Sequence, residues 1–111
     1  MPRFEFRGKH YNNPVELSLD VIGGKWKMPI LWRLKDKPWR YSELKKSIGK
    51  ITHKMLAQQL KELEEDGLIS RKVFASVPPK VEYSITDKGK TTIPIIEGLR
   101  KWGEDFKEDN L

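Results

Sequence analysis

The chain has 111 residues, enough for one domain with a modest core. Its net charge of +6 is uneven: residues 1–61 carry 14 Lys/Arg against 5 Asp/Glu, and residues 62–111 carry 8 against 11. A basic surplus gathered on one part of a domain points to a polyanionic partner, and the absence of cysteine excludes disulfides, thiolate metal sites and thiol redox sensing within the chain.

Residues 1–12 read as an N-terminal arm. Arg3, Arg7 and Lys9 alternate there with Phe4, Phe6 and Tyr11, a mix suited to packing on a partner chain or lying along phosphates. The first five residues fit a frayed terminus as well. The N-terminus lacks the apolar stretch of a secretory signal, and no later run approaches the roughly 20 apolar residues of a membrane span. The expected location is the cytoplasm, with no membrane partner.

Asn13-Pro14 opens a helix: Asn caps, and Pro at the first helical position loses no hydrogen bond. This first helix runs over Val15–Ile22 and ends at Gly23-Gly24. A second is predicted from Lys25 to about Lys35, with Trp26, Ile30, Leu31 and Leu34 on its apolar side. Pro29 removes one donor, so the helix either bends there or starts close to it. Asp36-Lys37-Pro38 is a turn and Trp39-Arg40-Tyr41 a short strand. Ser42–Ile48 makes two helical turns with Leu44 and Ile48 inward and Lys45 and Lys46 outward.

The glycine-containing turn Gly49-Lys50 leads into Ile51–Asp66, the stretch around which the chain is organised. At about 100° per residue, Leu56, Leu60 and Leu63 share one narrow face, and Lys54, Gln58, Lys61 and Glu65 lie opposite. Thr52 can cap the first turn, and Gly67 suits the left-handed position that ends a helix. The front carries His53, Lys54, Gln58, Gln59 and Lys61. The rear carries Glu62, Glu64, Glu65 and Asp66, which phosphates would repel. Such a helix can place its N-terminal half in a DNA major groove and keep its C-terminal half out. Taken alone, it fits an ordinary amphipathic surface helix equally well.

The neighbouring segments decide. Two short helices joined by a glycine-containing turn, the second basic at its front, form a helix-turn-helix. After Gly67 the periodicity changes to two, over Leu68–Phe74 and Val81–Ile85, with ASVPPK between them. A β-hairpin after a helix-turn-helix is a wing. Thr86 then caps a last helix, predicted as one piece over 87–107. Its stripe of Ile95, Leu99, Trp102 and Phe106, broadened by Ile93 and Ile96, exceeds what so small a core can cover. The same surface of a second subunit is the simplest cover. The fold class is therefore α+β: a single winged helix-turn-helix domain over residues 1–111, helix-rich with a two- to three-stranded antiparallel sheet.

Four strings, PVELSLDVIGGKWKMPILWRL, RYSELKKSI, ITHKMLAQQLKELEEDGLISR and VPPKVEYSITDKG, together with the KWG at Lys101–Gly103, resemble the HxlR-type regulators. These are a bacterial and archaeal branch of the MarR-like winged-helix transcription factors, and the resemblance covers roughly Asn13 to Gly103. It implies a DNA-binding homodimer whose first and last helices make the dimer contact, which puts Val15 and Leu19 beside Ile95, Leu99, Trp102 and Phe106. Many members carry a cysteine where this chain has Asn13, and some use it to sense electrophiles or oxidants. Asn13 keeps the capping role, but the sensing chemistry is lost.

Within this frame Lys54 and Gln58, one turn apart, are placed for base edges. Thr52, His53 and Lys61 at the flanks suit phosphates. Lys45 and Lys46 suit the DNA backbone, and Arg71 and Lys80 suit phosphate contacts from the wing. Arg40 ranks lower, because Glu43 is near enough in sequence to pair with it. Trp26, Trp32 and Trp39 read as core or interface residues, with an effector pocket as the alternative use. No metal spacing, glycine-rich phosphate loop or Ser/His/Asp arrangement is present, so neither a cofactor nor catalysis is expected. The reading is a sequence-specific double-stranded-DNA-binding regulator, a repressor acting as a homodimer on a palindromic operator. An unidentified small-molecule effector is compatible with it. The rival is a winged-helix module whose long helices bind another protein.

Overall fold

A computed structural model of the chain describes residues 2–111. Its first element is a hairpin where the sequence reading has only an arm. Strands β1 (Phe4–Phe6) and β2 (Lys9–Tyr11) pair antiparallel, with Phe6 opposite Lys9. Arg7 and Gly8 make the turn with φ of 54° and 76°. Left-handed conformation at both central residues matches the right-handed twist of a hairpin, and Gly8 takes it without steric cost. The Phe4 and Tyr11 rings stack at 5.4 Å.

Helix α1 (Pro14–Ile22) starts as its residues predict: Asn13 Oδ1 accepts from the Glu16 N–H at 3.2 Å. Helix α2 (Lys27–Leu34) begins two residues later than expected, which resolves the problem of Pro29. The proline falls in the first turn, where its missing N–H has no intrahelical partner in any case. The first turn-closing bond runs from Ile30 N–H to Trp26 O at 3.1 Å. Strand β3 is only Trp39–Arg40, because Tyr41 opens helix α3 (Tyr41–Ile48).

Helix α4 (His53–Glu65) is capped at the front by Thr52, whose Oγ1 accepts from Met55 N–H at 3.0 Å. Ile51 belongs to the preceding turn and is buried in the core. At the rear, Leu68 N–H reaches Leu63 O and Gly67 N–H reaches Glu64 O, both at 3.0 Å. That bond pattern requires a left-handed residue after the cap, and Gly67 supplies it at φ 76°. Leu56, Leu60 and Leu63 are fully buried and share one core with Ile30, Leu31 and Leu34 of α2 and Leu44 of α3. Truncating one of these leucines to alanine costs about 2–5 kcal/mol.

Strands β4 (Ile69–Phe74) and β5 (Lys80–Ile85) form the wing, and β3 joins their sheet through β5. The strand order is β3-β5-β4, all antiparallel, with Trp39 opposite Tyr83 and Ile69 opposite Ile85.

The predicted last helix is in fact two, α5 (Asp87–Lys90) and α6 (Ile93–Asp109). Pro94 explains the break: inside a continuous helix its ring would clash with the carbonyl of Lys90, whereas it is accepted at the second position of a new one. Thr86 caps α5 and ties it to the end of α4, accepting from Gly89 N–H at 3.0 Å and donating to Gly67 O at 2.7 Å. On α6 the stripe divides. Ile96 is buried and Ile93 packs on the core, while Ile95, Leu99, Trp102 and Phe106 remain exposed. Among the described residues no helix is long and apolar enough to cross a membrane.

Candidate nucleic-acid interface

The outer face of α4 is open along its front half. Lys54, Gln58 and Lys61 are exposed on the face opposite the buried leucines, and Thr52 and His53 are exposed at the helix start. His53 is the most fixed of them. The Tyr41 hydroxyl lies 3.1 Å from its Nδ1 and donates to its backbone oxygen at 3.2 Å, and the two rings stack at 5.9 Å. Tyr41 thereby joins the start of α3 to the start of α4. Lys46 is exposed on α3; Lys45 is half-buried and lies 3.5 Å from Gly49 O.

The start of α3 and the wing enclose an open groove of about 410 Å³, and Arg40, Ser42, Arg71 and Lys80 stand around it. The pairing with Glu43 that the sequence suggests for the Arg40 side chain does not form. Glu43 does not take its guanidinium but accepts from its backbone N–H at 2.8 Å, as a residue at the third helical position often does. The side chain therefore lines the same groove as Arg71 and Lys80. The strand pairing of β3 with β5 brings the three cations together, and no local sequence signal reveals it.

The rear of α4 is held by cations from two directions. Arg7, at the tip of the β1–β2 hairpin, pairs with Asp66 at 2.6 Å. Lys27 of α2, its side chain 8% exposed, pairs with Glu62 Oε1 at 2.9 Å. The other Glu62 oxygen accepts from Gln58 Nε2 at 2.8 Å. Hydrogen bonds from Gln58 and Lys27 hold the Glu62 carboxyl below the usual carboxylate range, against the opposing effect of burial. The base of the hairpin is fastened to α1 in the same manner: Lys9 and Tyr11 donate to Asp20 at 2.7 and 2.8 Å, which depresses the Asp20 carboxyl.

A second surface is apolar. Val15 and Leu19 on α1, and Ile95, Leu99, Trp102 and Phe106 on α6, are each more than half exposed, Trp102 at 65%. The Trp102 and Phe106 rings stack at 5.1 Å. Beside them, Met28, Pro29 and Trp32 of α2 face Ile96, Leu99 and Arg100 across an open apolar groove of about 410 Å³. Of the three tryptophans considered for an effector pocket, only Trp32 lines this groove. Trp26 and Trp39 pack against the core.

A helix-turn-helix followed by a two-stranded wing, with a basic open face on its second helix, defines a winged-helix DNA-binding regulator. The model of the HxlR-like helix-turn-helix family matches residues 21–111, and the chain belongs to that family. It is 53% identical over 107 residues to an uncharacterized HTH-type transcriptional regulator of Halalkalibacterium halodurans, covering 93% of this chain and 95% of that one. It is 52% identical over 95 residues to the HTH-type transcriptional regulator YdeP of Bacillus subtilis, covering 86% and 74% of the two chains. Among solved structures, the reduced form of the redox regulator HypR superposes with a TM-score of 0.82 at 46% identity, covering 86% of this chain and 94% of that one.

Proposed function

We propose that this DNA-binding regulator acts as a homodimer on roughly palindromic double-stranded DNA and represses by covering promoters. The observation that carries the proposal is the row Ile95, Leu99, Trp102 and Phe106, exposed along one side of α6 while the other side closes the core. Burying such a row against its own copy generates two-fold symmetry, and two-fold symmetry gives two α4 helices for successive major grooves. The half-sites then lie about one helical turn, roughly 34–36 Å, apart.

In this arrangement Lys54 and Gln58 read base edges. Thr52, His53, Lys61, Lys45 and Lys46 hold the backbone around α4. Arg71, Lys80 and Arg40 hold phosphates at the wing. HypR is described as a redox regulator in oxidised and reduced forms; this chain has no cysteine, so its control lies elsewhere. The apolar groove shares Leu99 with the dimer row, and a small effector lodged there would act on the dimer.

Selection of bound fragments from genomic DNA tests the reading. The expected product is an inverted repeat whose half-sites are about one turn apart, and a reporter driven from such a promoter should be less active when the protein is present. A single asymmetric half-site, or no enrichment at all, would contradict it.

A further inference from the structure

The chain Lys27–Glu62–Gln58 places an ammonium group where it is costly. Lys27 is the first residue of α2, so its charge meets the positive end of that helix, and its side chain is almost wholly buried. An apolar residue of similar size would serve the core better. What the ammonium does is hold one oxygen of Glu62, leaving the other for Gln58 Nε2 at 2.8 Å. An ionised carboxylate only accepts, so it takes the amide nitrogen and never the amide oxygen. The Gln58 carboxamide is thereby fixed in one of its two flip states.

We infer that Lys27 is a positioning residue for sequence readout: through Glu62 it orients Gln58 so that its Oε1 and remaining N–H meet a base bearing an exocyclic amine, adenine in the major groove. Adenine presents the matching pair, an N6 amine donor and an N7 acceptor. The inference rests on the reading of Gln58 as a base contact. It adds a residue that touches no DNA and lies 31 positions earlier in the chain.

The Lys27→Met/Glu62→Leu double variant tests it, since it removes both charges and leaves neither buried alone. Binding is measured by titration on the selected operator and on duplexes with each base substituted at the Gln58 position. The expected result is a drop in preference at that position of roughly 2- to 12-fold per half-site, the ordering cost of one long side chain. Affinity for random DNA should be unchanged, and so should the salt slope. In a Gln58→Ala background the double variant should cause no further drop, whereas a merely structural effect would persist there. Lys27→Arg, which keeps the pair, should retain the preference. If the double variant does not fold, Glu62→Gln carries the same test, because the new amide turns its oxygen to the Lys27 ammonium and offers Gln58 an N–H, which favours the opposite flip state. Unchanged preference in the double variant or in Glu62→Gln, a loss of preference in Lys27→Arg, or a drop that survives in Gln58→Ala, overturns the inference alone. Unchanged preference in Gln58→Ala itself overturns the base-reading assignment, and the inference with it.

Discussion

Trp102→Asp probes the proposed dimer at the most exposed aromatic residue of the α6 row. Trp102 is 65% exposed, and a tryptophan buries up to about 250 Å², so it offers about 160 Å² to a partner. If half of that is covered, at about 25 cal/mol per Å², each copy contributes about 2 kcal/mol. Symmetry doubles this to about 4 kcal/mol, roughly a thousandfold in the dimer dissociation constant. Aspartate also carries a charge that the interface would have to desolvate, which adds to the loss. The fold of the single chain should survive, since an exposed position off the core costs within about 0.5 kcal/mol. Sedimentation at micromolar concentration should show the parent protein at twice the chain mass and the variant at the chain mass, with an unchanged circular dichroism spectrum. Operator affinity should fall with dimerisation. A parent protein that sediments as a monomer, or a variant as tightly dimeric as the parent, would rule out a dimer built on this row.

At Gly89, a Cβ would lie 2.0 Å from Leu68 O and 2.7 Å from the Ile85 side chain; Gly89→Ala should therefore lower the thermal midpoint by more than an alanine at exposed Gly98, which meets nothing. Asp20 has its carboxyl depressed by hydrogen bonds from Lys9 and Tyr11, so its contribution is present above its ordinary value near 3.8 and lost as pH falls through the lower folded value. The gap in thermal midpoint between the parent and Asp20→Asn should be open at neutral pH and close in acid. Diamide at doses that modify thiols should leave DNA affinity unchanged, because the chain has no cysteine; a reversible loss restored by a thiol reductant would contradict this.

The parts of the fold that were legible in the sequence are those set by neighbours in the chain. The spacing of Leu56, Leu60 and Leu63, the Thr52 cap and the Gly67 stop each act within one or two helical turns, and the structure shows all three. The break before α6 is set by Pro94, which the reading of one helix over 87–107 leaves out of account. The N-terminal hairpin had its alternation of Phe4-Glu5-Phe6 and Lys9-His10-Tyr11. Its turn, however, places Arg7 in a left-handed conformation that Arg seldom adopts. The site was legible as a face of α4 and not as a network. Gln58 and Glu62 are four apart and neighbours on any helix, yet Lys27 reaches Glu62 only through the packing of α2 on α4. Arg40 meets Arg71 and Lys80 only through the strand order β3-β5-β4. Such long-range meetings leave no periodic trace in the chain.

In the proposed complex the front of α4 reads bases while the wing holds phosphates. Titrations of Gln58→Ala and Lys80→Ala on cognate and scrambled duplexes, at several salt concentrations, test it most directly. Gln58→Ala should lower the preference for cognate DNA by about 1–3 kcal/mol per contacted site and leave the salt dependence unchanged. Lys80→Ala should weaken both duplexes alike and flatten the slope of log affinity against log salt by about 0.9 per subunit. A Gln58→Ala protein that changes the salt slope and keeps its discrimination would place Gln58 on a phosphate and not on a base.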